Sequence, residues 1–500
     1  MASDEQQGLV FPADSKGRRS TSSVGRAVVA DALRSSDPTG ARAAEQATGW
    51  RTDYLVHFRR LIEAGLASPG AAVRVAEDGL ESLHERMRVL DQGEEHPLSD
   101  WPDAGFDALN LRGATDHREV ESVEVLGRGE PLNEVVLPHH GERLRGDEIR
   151  RRVDDWVEAG VVEPTVAQAI ETVLENPDWL RLEGHTTAVL GAGAEMGPLP
   201  SLMRWGARVA AVDLDRPAIW QKVLTMAREG AGTLVVPATQ PGGDTALEQV
   251  AGIDLLSEVP AVERWLQDQP GTLVLGNYVY ADAGMNTRVS VAVDELTCRL
   301  QASRPDLALA FLATPTDVFA VPAEAVDQST RAYEGRSVRA KTLGRPLRTL
   351  SGGRLLRRCY VPGSDPGIND SLVPQQGPNY ALAKRLQRWR ATVARHGGAT
   401  VSMNVAPPTR TKSVVKNRAL AAAYAGAHRF GVEVFEPATS NVLMAALLVH
   451  DLHTDGGPRH EHPWQDEAFA AAHGGLWRAP YAPRSALGLA ALLGYGAARG

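Results

Sequence analysis

The stretch TAVLGAGAEMG, residues 187–197, decides the fold of this chain. In it, a short apolar run leads into three glycines that are separated by small or polar residues. Glycine lets a strand turn sharply and lets backbone N–H groups come close to a phosphate where the next helix begins. The stretch therefore predicts a buried strand, a phosphate-binding turn and the start of a helix.

Further short apolar runs follow along the chain and alternate with helical segments. Such alternation is typical of buried parallel strands joined by crossover helices, and it predicts an α/β protein with a Rossmann-type doubly wound parallel sheet. Two weaker runs, 120–125 and 133–137, are predicted to form a strand pair outside this sheet. The predicted strands of the main sheet are 188–190, 209–212, 233–236, 272–275, 307–313 and 399–405.

Composition and periodicity divide the chain into four parts. Residues 1–30 are polar and lack apolar periodicity, so a mobile leader is expected there. Residues 31–184 place apolar residues three and four apart, which predicts a mainly helical region. Residues 185–455 form the Rossmann domain, and residues 456–500 form a C-terminal tail.

An acidic residue follows the second predicted strand. Asp213 lies about 20 residues after the first glycine, where a carboxylate can accept hydrogen bonds from both hydroxyls of a ribose. An acid at this place repels a 2′-phosphate, which favours NAD over NADP. Two other interpretations remain open, because glycines also serve tight packing alone and because S-adenosylmethionine-dependent methyltransferases use a similar turn and acid. The proposed phosphate-turn residues are Gly191, Gly193, Met196 and Gly197.

Tyr380 and Lys384 begin a long helical segment and lie four residues apart. Side chains at this spacing share one helix face, so the ammonium can lie beside the phenol. A neighbouring cation favours the phenolate, and the pKa of Tyr380 is therefore expected to fall below its ordinary value. A tyrosine with such a pKa can exchange protons near neutral pH.

The order of these features resembles the short-chain dehydrogenase/reductase superfamily. Asp254 and Leu255 stand where that family has an acidic–apolar pair that touches adenine, and Asn277 is similar to the asparagine of its Asn-Asn-Ala-Gly turn. Pro407 and Thr411 lie in a segment that resembles the family's strand end around the nicotinamide.

The resemblance implies an NAD-dependent dehydrogenase or reductase, with NADP the less favoured cofactor. Tyr380 would exchange the proton, and Lys384 would hold the nicotinamide ribose. The family's serine is matched by Thr314, with Thr316 in reserve, because a threonine hydroxyl donates the same hydrogen bond. Dimers and tetramers are common among relatives, so a homo-oligomer is expected.

The chain also departs from the family pattern. Glu195 replaces a glycine of the phosphate turn, and residues 320–375 form an insertion before Tyr380. These departures leave a third possibility, a non-catalytic relative that binds a nucleotide. The insertion is rich in arginine, which suggests an anionic substrate. Its arginines are Arg331, Arg336, Arg339, Arg345, Arg348, Arg354, Arg357 and Arg358.

Composition excludes several classes of function. A net charge of -9 is unsuited to binding nucleic acid, and the apolar runs are shorter than the roughly 20 residues of a membrane-spanning helix. Two cysteines, Cys298 and Cys359, are too few for a disulfide framework, so we expect a cytoplasmic protein. The histidines and aspartates of residues 450–462 lack a fixed ligand spacing, and no metal site is predicted.

Overall fold

The computed structural model of this chain describes residues 8–91, 93–98, 120–239 and 245–496. Short 3-10 helices lie at Pro177–Arg181 and Ala427–Phe430. The strands are β1 Gly8–Val10, β2 Arg88–Asp91, β3 Glu94–Pro97, β4 Glu121–Leu126, β5 Leu137–His139, β6 Glu142–Leu144, β7 His185–Leu190, β8 Arg208–Val212, β9 Thr233–Ala238, β10 Thr272–Asn277, β11 Ala308–Ala313, β12 Val318–Val321, β13 Gly367–Asp370 and β14 Val401–Val405.

The helices lie before, between and after these strands. They are α1 Thr21–Arg34, α2 Pro38–Glu45, α3 Trp50–Gly65, α4 Pro69–Arg86, α5 Asp147–Glu158, α6 Pro164–Glu175, α7 Leu199–Trp205, α8 Pro217–Glu229, α9 Leu247–Val250, α10 Val259–Gln267, α11 Ala283–Ser303, α12 Ala323–Glu334, α13 Val338–Leu350, α14 Pro378–His396, α15 Lys412–Lys416, α16 Arg418–Gly426, α17 Pro437–His453, α18 Pro463–Ala468 and α19 Pro483–Gly494.

The main sheet confirms the predicted fold class. Within the described residues it has seven strands, in the order β14-β11-β10-β7-β8-β9-β4. The first six are parallel, and their order is the usual 3-2-1-4-5-6 order of dinucleotide-binding sheets when it is counted along the chain. Each of these six strands overlaps one of the six predicted runs. The seventh, β4, pairs antiparallel with β9.

Apolar residues cover both faces of this sheet because helices pack on each side. Along β7, Ala188 and Leu190 belong to one hydrophobic core and Val189 to the other. The first core also holds residues of α1, α3, α4, α11 and α14, and the second holds residues of α5, α6, α8 and α17. A strand that is buried on both faces is a continuous run of apolar residues, which is why these strands could be predicted from the sequence.

Two local predictions are wrong. Residues 8–30 are not a mobile leader, since they form β1 and most of α1, whose Val28 and Val29 are fully buried; residues 1–7 lie outside the described part. The run at 120–125 does not pair with 133–137, because it adds to the main sheet beside β9 while β5 pairs with β6.

The N-terminal helices pack directly on the helix that carries Tyr380. A Cβ atom at Gly79 of α4 would lie 2.5 Å from the Trp389 ring of α14, so the two helices are in close contact. His84 of α4 contacts Asp294 of α11, and Arg390 of α14 forms two hydrogen bonds with the same carboxylate. This region therefore supports the helices of the Rossmann-type domain.

The insertion leaves and rejoins the domain through a two-stranded ribbon. Such a return is needed for Tyr380 to lie near Thr314 despite the inserted residues. β12 and β13 pair antiparallel, with Val318 opposite Asp370, so the chain returns near its point of exit. The helices α12 and α13 lie between them, and α12 packs against the C-terminal segment, where Trp477 and Tyr481 are buried. In the described part of the chain, no helix has the length and apolar character needed to cross a bilayer.

Candidate functional site

A large cleft opens at the carboxyl ends of the parallel strands. Its volume is about 2010 Å³, more than the roughly 300–1,000 Å³ of an ordinary ligand pocket. Ligands of doubly wound sheets bind at this edge, at the point where the strand order reverses. The sequence-predicted residues that line the cleft are Gly191, Gly193, Met196, Asp213, Asp254, Leu255, Asn277, Thr314, Thr316, Tyr380, Lys384, Pro407 and Thr411.

The glycine turn follows β7 as predicted, but it does not open a helix at once. Gly191 has a φ of +82°, and a Cβ atom there would lie 3.1 Å from the Tyr278 carbonyl oxygen, so only glycine fits easily. The chain then continues to Leu199 before the seven-residue helix α7 begins, because residues that precede prolines disfavour helical backbone. Gly197, proposed as a phosphate residue, does not line the cleft.

Asp213 holds the glycine turn in place. Its carboxylate accepts hydrogen bonds from the backbone N–H groups of Gly193, at 2.8 Å, and Leu214, also at 2.8 Å. Burial raises the pKa of Asp213, and these two N–H groups and Arg216 act in the opposite direction. The Gly193 N–H is thus directed at Asp213, whose remaining lone pairs face the cleft that it lines.

The adenine-side residues lie next to Asp213. Ile253 donates its backbone N–H to the Asp213 carbonyl oxygen at 2.9 Å, which places Asp254 and Leu255 beside the end of β8. At the end of β10, Asn277 is only 2% exposed, and its Oδ1 atom has no hydrogen-bond partner within the described structure. A buried acceptor left without a partner is unusual, and this one is in a residue that lines the cleft.

Tyr380 occupies the middle of the cleft, in the first turn of α14. Burial raises its pKa to about 12, and an interaction with the Thr314 hydroxyl acts in the opposite direction. The Tyr280 ring packs edge-on against it, with 6.4 Å between the ring centroids. The predicted fall in the pKa of Tyr380 is therefore wrong for this structure, because loss of solvation outweighs the neighbouring groups.

Lys384 shares the cleft with Tyr380 but makes other contacts. Its Nζ donates to the Leu312 carbonyl oxygen at 3.2 Å and to the Gln387 side-chain oxygen at 3.1 Å. Burial lowers the pKa of Lys384 to about 8. The ammonium is thus held at the end of β11, one turn of α14 below Tyr380, as the spacing of four residues requires.

Thr314 and Thr316 form one hydrogen-bonded unit after β11. Their hydroxyl oxygens lie 2.9 Å apart, and Gln376 donates to the Thr316 hydroxyl at 2.7 Å and to the Thr316 carbonyl oxygen at 3.0 Å. Gln376 lies just before α14, so it joins the two ends of the insertion. The structure therefore brings Thr314 to Tyr380 despite the residues between them.

A buried ion cluster ties the threonine turn to α14. Asp317 is 1% exposed, and its two carboxylate oxygens accept hydrogen bonds from Arg385 at 2.6 Å and Arg388 at 2.8 Å. Arg388 also pairs with Glu467 of α18. Since Arg385 and Arg388 follow Lys384 on the same helix, this cluster fixes α14 relative to Thr314.

A basic segment that the sequence analysis missed borders the same cleft. Lys412, Lys416 and Arg418 line it on α15 and α16, and the described residues offer them no ion pair. Glu195, which replaces a glycine of the phosphate turn, accepts a hydrogen bond from the backbone N–H of Lys412 at 2.9 Å. This bond joins its carboxylate to the basic segment. Their position shortly after Thr411 is the signal in the sequence from which these cleft-lining cations could have been predicted.

By contrast, the insertion arginines whose side chains the structure describes do not line the cleft. Arg336 lies over the Tyr333 ring at 3.4 Å, and Arg358 pairs with Glu334 at 2.9 Å, both on the outer side of the insertion. Among the described side chains of residues 320–375, Val373 and Gln375 line the cleft, and Gln376 follows directly after them. The suggestion that these arginines bind an anionic substrate stays a prediction, and those with described side chains lie outside this cleft.

Comparisons with known proteins add little. No protein-family model matches the chain, and no curated protein matches it. A solved structure of a thiolation-reductase di-domain from an archaeal non-ribosomal peptide synthetase is similar, with a TM-score of 0.26 and 11% sequence identity. The match covers 56% of this chain and 54% of that one, so it spans about half of that structure. A TM-score of this size is too low to support a conclusion about function.

Proposed function

We propose that this protein is an NAD(P)-dependent oxidoreductase of the short-chain type that interconverts an alcohol and a carbonyl. The observation that carries the proposal is the convergence of Thr314, Tyr380 and Lys384 with the Gly191 turn in one cleft. Chance would not bring a tyrosine, a lysine and a hydroxyl from distant elements to the ligand-binding edge of such a sheet.

The residues present fit a dinucleotide. Gly191 gives the turn after β7 its positive φ and lines the cleft, and Asn277 offers a buried acceptor without a partner in the described structure. Asp213 is in place to accept ribose hydroxyls. When bound, the nicotinamide would supply or accept the hydride.

The chain's own residues would bind the substrate oxygen and move its proton. With a pKa of about 12, the Tyr380 phenol keeps its proton at neutral pH, so it is suited to donate that proton to a carbonyl oxygen during reduction. Thr314 donates a second hydrogen bond to the same oxygen, and the buried ion cluster around Asp317 keeps both hydroxyls together. At neutral pH the free protein thus holds Tyr380 in the form that can donate a proton.

Cofactor choice and substrate charge follow from the two ends of the cleft. At the ribose end, the Asp213 carboxylate repels a 2′-phosphate, which favours NAD, with NADP the weaker alternative. Elsewhere in the cleft lining, Lys416 and Arg418 favour a substrate that carries a carboxylate or phosphate. Cys298 and Cys359 are both free thiols, in keeping with a reducing, cytoplasmic location.

Thermal-shift measurements with NADH, NADPH and S-adenosylmethionine test the cofactor, because only a ligand of the native state raises Tm. We expect the largest shift with NADH; a shift with S-adenosylmethionine alone would instead indicate a methyltransferase. An NADH-oxidation assay over a panel of carboxylated aldehydes and ketones then tests catalysis.

Tyr380→Phe tests the catalytic residue, with Tyr333→Phe as the matched control. Tyr333 lies in the insertion and outside the cleft. Tyr380→Phe should lower kcat by about 100-fold or more while the NADH shift is kept, since general acid catalysis contributes this much. Equal turnover in the two variants would refute the role of Tyr380. An NADH shift without any turnover in the wild type would point to a non-catalytic relative that binds the nucleotide.

A further inference from the structure

Two histidines and a glutamate meet outside the sites that the sequence predicted. His139 ends β5, His140 begins the two-residue turn to β6, and Glu433 lies in the segment before α17. One ligand atom from each side chain lies within 4.8 Å of the other two. None of the three lines the large cleft.

The two imidazoles lack hydrogen-bond partners. His139 is only 7% exposed, yet neither it nor His140 makes a ring-nitrogen hydrogen bond to another described residue. The ring centroids are 4.1 Å apart. An imidazole ring nitrogen that bears no proton is a hydrogen-bond acceptor and can also serve as a metal ligand.

Neighbouring side chains hold the Glu433 carboxylate in position. The indole N–H of Trp156 donates to one carboxylate oxygen of Glu433 at 3.0 Å, and the Trp156 ring packs edge-on against His139. Thr439 at the start of α17 donates to the Pro138 carbonyl oxygen at 2.6 Å, which joins the β5–β6 hairpin to this segment. Outer groups that hold a ligand by hydrogen bonds are typical of metal sites.

In a second cluster of similar composition, the carboxylate is already hydrogen-bonded to other side chains. His84, Asp294 and Cys298 also lie within 4.8 Å of one another. However, Arg390 forms two hydrogen bonds with Asp294, and His84 donates to or accepts from the same carboxylate at 2.7 Å. A guanidinium at the centre of the cluster takes the place that a cation would need.

We propose that His139, His140 and Glu433 bind a divalent transition-metal ion of the zinc class, with a fourth position open to solvent. Two imidazole nitrogens and a carboxylate oxygen are ligands that Zn²⁺ accepts, at metal–ligand distances of about 2.0–2.2 Å. The ligand atoms must then approach to about 3.3 Å in a tetrahedron. This needs a small movement of His140, which is exposed on the hairpin turn. Arg152 lies nearby and opposes the binding of a cation, so it sets the affinity.

Cobalt substitution tests the site in the full-length protein. Co²⁺ should give the visible absorption of a tetrahedral complex without a thiolate charge-transfer band, and Zn²⁺ should abolish that absorption. His140→Asn keeps a residue that tolerates the left-handed backbone of this turn, with φ +48°, and Glu433→Gln keeps an acceptor for Trp156. Each should weaken Zn²⁺ binding by about 10-fold or more, because each removes one ligand.

Two further variants complete the test. His396→Ala, which removes an exposed histidine at the end of α14, should leave Zn²⁺ affinity unchanged, and Arg152→Ala should tighten it by removing the opposing charge. The proposal is overturned if wild-type protein gives no tetrahedral Co²⁺ spectrum. It is equally overturned if His140→Asn and Glu433→Gln bind Zn²⁺ as tightly as His396→Ala, or if the spectrum shows a thiolate band that His140→Asn leaves intact.

Discussion

Removal of the Asp317 carboxylate should destabilise the protein strongly. Asp317→Ala leaves Arg388 paired with Glu467, but it removes the carboxylate that pairs with Arg385, a side chain that is 2% exposed. The Arg385 Nε atom already lacks a hydrogen-bond partner in the described structure. One buried guanidinium is then uncompensated, and breaking such a buried pair costs about 3–5 kcal/mol. We expect this loss in the free energy of unfolding.

The assay is urea unfolding at neutral pH, followed by intrinsic tryptophan fluorescence, with Tm as a second measure. The double variant Asp317→Ala/Arg385→Met removes both charges, and an apolar replacement of a buried pair is often close to neutral. It should therefore recover most of the lost free energy. Turnover should fall in the single variant more than NADH binding does, since the cluster positions Thr314 and Tyr380 rather than the glycine turn. A double variant no more stable than Asp317→Ala would refute the reasoning.

Three other predictions concern single positions. Gly191→Ala should cost about 1–3 kcal/mol and abolish the NADH thermal shift, because its φ of +82° is strained for alanine and its Cβ meets backbone 3.1 Å away. Burial opposes ionisation of Glu163, but Arg478 and His473 outweigh it and lower the pKa of Glu163 to about 2. Its folded pKa is depressed, so the stability it contributes, up to about 3 kcal/mol, is present above pH about 4.5 and is lost as the pH falls toward 2; urea unfolding of Glu163→Gln should show a weaker acid dependence. Burial lowers the pKa of Lys384 to about 8, so the Kd for NADH should rise between about pH 7 and pH 9 in wild type but not in Lys384→Met, as measured by NADH fluorescence.

The sequence by itself determined the central sheet and the list of residues at its carboxyl edge. The six parallel strands are buried on both faces, so each is an uninterrupted apolar run that local composition reveals. The glycine turn, Asp213 and the Tyr380–Lys384 pair are also local signals, because a turn, a strand end and one helix face fix their positions. These residues consequently meet in one cleft.

Only the tertiary structure decided what depends on distant contacts. Strand β4 pairs with β9 across more than a hundred residues, and the ion cluster joins Asp317 to Glu467 through Arg388; neither partner is visible in a local pattern. The pKa of Tyr380 was predicted in the wrong direction for the same reason. A four-residue spacing tells which charge is near the phenol, but the depth of burial, set by every element packed around it, determines the free energy of ionisation.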